Sequence, residues 1–569
     1  MGRFVFSYGN IEVNKKTILL DSSISNDNFF IGRENPQKFK NDKIFEENEN
    51  FIILIDGVIL NIKELKFNKN DFFNQIIALY ELEGDFFFEK FRGPFSGVFY
   101  DKKAKKWILF TDHTGSKIIY YSRLETNKLI ASSSLQDLLK IRVGSKLDNT
   151  INENSAYMLL SYGFLVSENT LINGVNKILP GQCIVIQDDS IDLKQFYKFN
   201  NKENHSLTDT EIIENVDLLF KKAIHRQFEK DKEYGYNHLV GLSGGLDSRM
   251  TTVVANDVGY KNQINYTFSQ TDYLDETIPK KIAETLRHEW LFKSLDNGIF
   301  MKKLDEVSAI TEGNVNYYGV AHGHSMLKLI NFNSLGIIHT GQLGDVILGT
   351  FSSSKSHKKT FNISGGAFSK KYVSKIDFSN IKMKFDNEEM FKLYLRGFSA
   401  TNAGLLGIQH FSETMSPFYD IDFMEYCFSI PANKRYGHKI YKKWLNQKHP
   451  IASNFIWEKT RSKPKNKKFN FTFKYKGRII SLNTVLFKLK ILKYGLDNRY
   501  HMNPLQYWIN NNEDLRVYLD NYYSENIVDT NLSMELEKDI RDLYNSGNIM
   551  EKGLVLSLLS FIKLNKTIQ

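Results

Sequence analysis

A chain of 569 residues exceeds what one hydrophobic core organises and implies two or three domains. Its 42% apolar and 14% aromatic content excludes a disordered or fibrous protein. The net charge of +10 comes from lysines interspersed with acids, a mildly basic surface suited to anionic ligands but no signature of a nucleic-acid binder.

Only Cys183 and Cys427 are present, too few for a disulfide framework or a cysteine zinc site, so a reducing compartment is expected. The start MGRFVFSYGN lacks a signal-peptide core, and Leu554 to Ile562 is too short to span a membrane. A soluble cytoplasmic protein with no membrane partner follows as the expectation.

Residues 1–200 read as short strands. Phe4–Tyr8, Phe51–Ile55, Pro94–Tyr100, Trp107–Thr111 and Gln182–Ile186 are rich in β-formers and bounded by turn residues. Asp71–Leu82 has helical spacing through Phe72, Ile76, Leu79 and Tyr80. Strands with few helices predict an α+β layered sandwich. A polar linker spans Asn200–Ser206, and Ile212, Val216, Leu219, Ala223 and Ile224 then mark an amphipathic helix.

The stretch LVGLSGGLDSRMTTVV, Leu239 to Val254, is the organising feature. An apolar strand enters a Ser-Gly-Gly turn, and a helix follows from about Ser248 to Asn256. Such a turn presents backbone N–H groups and a positive helix end to phosphate. Gly244 and Gly245 permit close approach, while Asp247 would repel phosphate unless a divalent cation sat between them. The Walker lysine is absent.

Strands at Ile264–Phe268, Trp290–Phe292 and Leu335–His339, alternating with a helix over Ile278–Leu286, predict a parallel sheet. Ligands on such sheets bind at the strands' C-terminal ends. The last strand runs into TGQLGDVILG, where Asp345 reads either as a second metal ligand or as a helix N-cap. His322 and His324 make a weak metal signal and read as polar loop or pocket contacts, whereas His288 and Trp290 read as structural. Residues 360–569 read mainly as helices and loops, with Cys427 a small core residue.

The loop at Ser243 resembles the SGGxDS pyrophosphate loop of ATP pyrophosphatases. DGVILNIKEL, GDFFFEKFRGPFSGVFYD, TDHTGSKIIYYS and NKILPGQCIVI precede it in the order found in the glutaminase half of asparagine synthetase. The resemblance is to the asparagine synthetase family and covers most of the chain. It implies an α/β protein: an N-terminal-nucleophile (Ntn) hydrolase-like sandwich over 1–200, then a parallel-sheet ATP pyrophosphatase domain over 207–569 whose C-terminal part is largely helical.

The resemblance implies that Leu242, Ser243, Gly244, Gly245, Asp247, Ser248, Thr340 and Gly341 bind ATP. By the same resemblance Asp247 and Asp345 hold Mg²⁺, and a cation in KIYKKWLNQKHPIASNFIWEKTRSKPKNKK steadies the α-phosphate. Lys459 is the first choice for that cation, Arg461 the second and Lys463 the third; the lysines beyond them read as a solvated loop. Glu413 and Asp420 align with acidic positions of the family.

Five places depart from the pattern. Gly2 stands where the family has its nucleophilic cysteine, and Asp56-Gly57-Val58 replaces its Asn-Gly-Glu, so glutamine hydrolysis is expected to be lost. Gln342 and Val346 replace glutamates, and Arg249 replaces the final serine of SGGLDSS. Gln342 cannot take a proton at neutral pH.

The expected activity is an ATP-dependent, AMP-forming amide ligase in a specialised pathway. It would act on a small-molecule or peptide carboxylate and an amine donor, with a carrier protein and a homodimer left open. The rivals are a macrocyclase of the lasso-cyclase kind, a tRNA-modifying relative sharing only the loop, and a scaffold that has lost its chemistry.

Overall fold

The computed structural model describes residues 2–464 and 498–568, apart from Lys16, Ile363, Ser364, Asn380, Lys382 and Met383. Between 465 and 497 it describes only the backbone of a hairpin, Thr472–Tyr475 with Arg478–Ser481. The lysines expected in a solvated loop after Pro464 lie outside the described residues.

The N-terminal part holds two antiparallel sheets of six strands. Phe4–Tyr8 pairs with Phe29–Arg33 and Lys128–Ser132 in one. Phe95–Asp101 pairs with Phe51–Gly57 and Lys106–Thr111 in the other. The alternation of these strands puts Phe4, Phe6 and Ile31 of the first sheet against Leu54, Val98 and Leu109 of the second, one dry core between two sheets. The outer face of the second sheet is covered by the helix Phe72–Glu83 and an aromatic cluster in which Phe88 stacks on Phe110 at 4.3 Å. This is the layered sandwich that strand-rich segments with one early helix predict.

The outer face of the first sheet is covered by the helices Leu135–Gly144 and Glu153–Tyr162 and also by the C-terminal helix Ile549–Ile568. One apolar cluster runs through all of them, from Val5 and Tyr120 to Leu554 and Phe561. Each fully buried side chain of this kind is worth about 1.5–3 kcal/mol, so the last helix is a covering layer of the sandwich although it comes at the end of the second half.

Within the linker, Asn201 is buried and donates to Glu389 at 2.7 Å, which ties the crossing chain down. The helix Asp209–Glu233 begins in a capping box of Thr208 and Glu211. Five parallel strands follow in the spatial order Glu289–Ser294, Gln263–Ser269, Asn237–Gly241, Leu335–His339, Thr414–Met415. The chain lays down the first three leftward and then jumps to the far side of the first. The point where that direction reverses lies between Asn237–Gly241 and Leu335–His339, the crevice where open α/β sheets bind ligands.

His322 and His324 lie on the helix Tyr318–Leu327, a correction to the loop expected for them. His322 Nδ1 hydrogen-bonds with Tyr318 O, and His324 Nε2 faces Glu306 at 3.1 Å. Two residues apart on a helix, their rings point to different sides and share no ligand position. His288 bridges Asn265 and Asn256, a structural role. Both cysteines are buried and unpaired. Among the described residues no helix is long and apolar enough to cross a membrane.

Candidate active site

The two strands flanking the reversal each end in a glycine turn, and the turns pack on one another. After Gly241 the loop closes on itself: Ser248 Oγ accepts from Ser243 N at 3.0 Å and lies 2.8 Å from Ser243 Oγ. The helix Asp247–Asp257 then starts with no side-chain cap, and its first residues, Asp247 and Ser248, line the crevice.

The second turn, Gly341 to Gly344, sits against this helix start. A Cβ on Gly341 would lie 2.2 Å from Ser248 N, and one on Gly344 would lie 2.7 Å from Asp247 Cγ. Glycine at both positions is therefore a condition of the contact. Asp345 N donates to Asp247 Oδ2 at 3.0 Å, and Tyr441 OH donates to Asp247 Oδ1 at 2.7 Å. Burial and the neighbouring Asp345 carboxylate push the Asp247 carboxyl up to about 7, against the pull of Tyr441 and Lys459.

The crevice has a volume of about 310 Å³, within the range of small-ligand sites. Leu242, Ser243, Gly245, Asp247, Ser248, Thr340 and Gly341 line it, together with Thr267, Phe268 and Met502. Gly244 is turned away from it. Its N–H donates to Asp275 Oδ1 at 2.7 Å, and its carbonyl accepts from Glu458 N at 3.1 Å and Arg249 Nη2 at 3.1 Å. Asp345 follows the second turn, where its carboxylate accepts from Thr350 Oγ1 at 2.8 Å.

Arg249, wholly buried, explains itself here. Besides Gly244 it reaches the carbonyls of Ala452, Phe455 and Ile456, at 3.0, 3.2 and 2.6 Å. One guanidinium thus joins the glycine loop to the segment that carries Glu458, Lys459 and Arg461, five donors in a rigid fork being suited to several carbonyls at once. Trp457 N pairs with Ser462 O across that segment, and Arg461 stands at its bend with a positive φ of 52°. Lys459 lies over the Trp457 ring, 5.7 Å from its centre, and near enough to Asp247 to pull its carboxyl down. Arg461 is near enough to Tyr273 to oppose slightly the rise that burial gives its hydroxyl.

Three residues of this site escape local pattern. Asp275 lines the crevice, pushed up to about 6 by burial and by Glu458. Its signal was an acid in the first turn of the helix after the second strand. Glu458 accepts from Tyr273 OH. Tyr441 sits on the apolar face of Lys439–Lys448 and reads as core until its hydroxyl is placed.

Where the family pattern puts glutamine chemistry, the structure packs charges. A Cβ on Gly2 would face Asp56 Oδ1 at 3.6 Å. Asp56 meets Lys117 at 3.3 Å and Lys43 at 3.5 Å, and both lysines reach Glu413 of the second half, at 2.9 and 2.6 Å. Burial would raise the Asp56 carboxyl, but the two ammonium groups outweigh it and hold it at about 2. Neither cysteine is here: Cys183 lies in the aromatic core of the sandwich and Cys427 in that of the second half.

Residues 38–197 match the glutamine amidotransferase domain family. Among curated proteins, the chain is 26% identical to amidase chry2 of Gibberella zeae, over 32% of its own length and 26% of that protein's. It is 24% identical to amidase chyE of Penicillium rubens, over 30% and 25%. It is 26% identical to the glutamine-hydrolyzing asparagine synthetase 2 of Bacillus subtilis, over 36% and 28%. The matches span about a quarter of the length of these relatives.

Proposed function

We propose that this asparagine synthetase-like chain is an ATP-dependent ligase that adenylates a carboxylate and passes the acyl group to an amine, without hydrolysing glutamine. The observation that carries the reading is the meeting of two strand ends at the sheet's reversal, where an uncapped helix start and the Asp247 carboxylate line one crevice, with the Asp345 carboxylate and Lys459 near enough to act on Asp247. The relatives with amidase and asparagine synthetase names support amide chemistry in general.

Within this reading residues 1–200 are the glutaminase-like domain and residues 207–569 the synthetase. The N–H groups at the start of the Asp247–Asp257 helix and the Ser243 and Ser248 hydroxyls bind the β and γ phosphates of ATP. Asp247 and Asp345 fit a hard divalent ion, being oxygen donors whose mutual repulsion already raises Asp247. A magnesium ion held there would neutralise charge on the pyrophosphate as it leaves.

The substrate carboxylate attacks the α-phosphorus, the bond to the β-phosphate oxygen breaks, and the acyl adenylate remains. Lys459 stabilises the α-phosphoryl charge, an electrostatic role that depends on its being held in place before reaction. Arg249 holds it by fixing the carbonyls of the preceding residues. The amine then attacks the acyl carbon and AMP leaves.

The test is AMP and pyrophosphate formation by the purified chain with ATP, Mg²⁺ and pools of carboxylates and peptides, each with and without ammonium. Acid-dependent AMP supports the ligase; a product with no added amine points to ring closure within one substrate. Failure of every pool, with no ATP binding, sinks the reading.

A further inference from the structure

Two carboxylates, Asp247 and Asp275, line the crevice, and among the described residues no lysine, arginine or histidine lines it. Asp247 has both oxygens engaged, one by Tyr441 OH and the other by Asp345 N. Asp275 does not. Its Oδ1 accepts from Gly244 N at 2.7 Å, while its Oδ2 accepts no hydrogen bond from the described residues. A carboxylate oxygen left open on a cavity wall is a place for a ligand's donor, and a cationic donor gains most there.

The open oxygen is held in place. The Gly244 peptide that pins Oδ1 is itself clamped from its other end, where the carbonyl accepts from Glu458 N and Arg249 Nη2. A Cβ on Gly244 would lie 2.9 Å from Glu458 Cβ and 3.2 Å from Asp275 Oδ1, so glycine is what lets these segments meet. The charges acting on Asp275 come from one side: burial and then Glu458 push its carboxyl up to about 6, and only the Gly244 N–H lowers it. Glu458 accepts from Tyr273 OH, and Arg461 acts on Tyr273.

The other groups nearby make poor bases. Gln342 carries an amide, and burial pushes the Tyr266 hydroxyl far up. His113 lines a separate cavity of about 30 Å³, and burial together with Arg92 lowers its imidazole to about 3. A carboxyl poised near neutral pH is the better proton acceptor.

We propose that Asp275 Oδ2 receives the amine substrate in its cationic form, as ammonium or a primary alkylammonium, and takes a proton from it. This rests on the ligase reading. One proton passes from nitrogen to Asp275, the freed lone pair forms the C–N bond, and the bond from the acyl carbon to the AMP oxygen breaks. AMP leaves with that electron pair, and the second surplus proton on nitrogen passes to water. Asp275 then releases its own proton to water and is a carboxylate again.

The experiment uses the full chain with ATP, Mg²⁺ and a carboxylate pool between about pH 5 and 8. Adenylation is read as exchange of labelled pyrophosphate into ATP, and transfer as amide from ammonium chloride or methylammonium chloride in separate arms, or as hydroxamate from hydroxylamine. Asp275→Asn keeps an oxygen for Gly244 N and removes the charge. It is expected to lower amide at least about 10²-fold, while exchange and hydroxamate, whose weakly basic nucleophile needs no such base, fall less than about tenfold. Wild-type amide should be level above about pH 6 and fall below it, whereas in Asp275→Asn it should climb about tenfold per pH unit with the free amine. Asp275→Glu should recover part of the amide, which a role in packing alone would not allow. The arm that gives amide tells ammonium from an alkylammonium. Exchange and amide lowered alike in Asp275→Asn would place this carboxylate with the nucleotide or its metal and overturn the inference alone, as would unchanged amide. No AMP from the wild type with any pool overturns the ligase reading and this inference with it.

Discussion

Two regions of the molecule bury carboxylates, and they treat them in opposite ways. Behind Gly2, Asp56 and Glu413 each face two lysines, and the Asp56 carboxyl is held at about 2. In the crevice, Asp247 faces another carboxylate and is pushed up to about 7. The first region is complete as it stands, its charges spent on joining the two halves. The second leaves two like charges close together, a repulsion that a bound proton or a cation would relieve.

The largest effect is expected where the complete set is broken. Glu413→Gln leaves Lys43 and Lys117 with one buried counter-charge in place of two, and breaking a buried pair costs about 3–5 kcal/mol. Thermal or urea unfolding should show that loss. If Glu413→Gln unfolds like the wild type, the lysines do not weld the halves. Changing the whole set to apolar residues should cost less than the single change.

Next in size are the crevice variants, which should act on chemistry more than on folding. Asp247→Asn and Lys459→Ala are each expected to lower AMP formation about 10²–10³-fold. Arg461→Ala, whose charge is not among those acting on Asp247, should lower it less than about tenfold. Equal losses from Lys459 and Arg461 would remove the distinction between them.

Arg249 tests the link between loop and lysine. Arg249→Ser takes donors from four carbonyls, two of them in fully buried contacts, and should cost about 1.5–3 kcal/mol of stability. Its effect on AMP formation should fall on kcat more than on KM for ATP, with Arg249→Lys recovering part of it. A loss in KM alone would mean that the guanidinium serves only the loop.

The pH dependence carries the comparison in its sign. Asp56 has a folded pKa of about 2 against an ordinary 3.8, so its stabilisation is full above 3.8 and is lost as pH falls toward 2. Asp247 has a folded pKa of about 7, so the folded chain holds a proton that the unfolded chain has released between about 4 and 7. Its contribution to stability therefore falls as pH rises through that window in metal-free buffer. Asp247→Asn should remove the second slope and leave the first. Loss of both slopes in that one variant would show that the two regions titrate together.

Much of this arrangement is local and was legible in the chain. Strand, glycine turn and helix from Leu239 to Val254 are neighbours in sequence, and so are Leu335 to Asp345. What joins them is not. Tyr441 reaches Asp247 across 194 residues, and Lys117 reaches Glu413 across 296. Each looks like an ordinary apolar or surface residue in its own segment. The HxH pair misled for the opposite reason: two polar residues two apart read as loop, while the chain there is helical, with His322 packed on Phe268 and His324 buried beside Glu306. Arg249 was visible as a departure from SGGLDSS, but its use depended on carbonyls more than 200 residues away.

The most direct test of the central claim is exchange of labelled pyrophosphate into ATP, run with Mg²⁺ and carboxylate pools on the wild type and on Asp247→Asn. The account predicts carboxylate-dependent exchange in the wild type and its near disappearance in the variant. Exchange of equal size in both, or its absence with every acid while ATP is bound, would contradict an adenylating centre at the junction of these two strands.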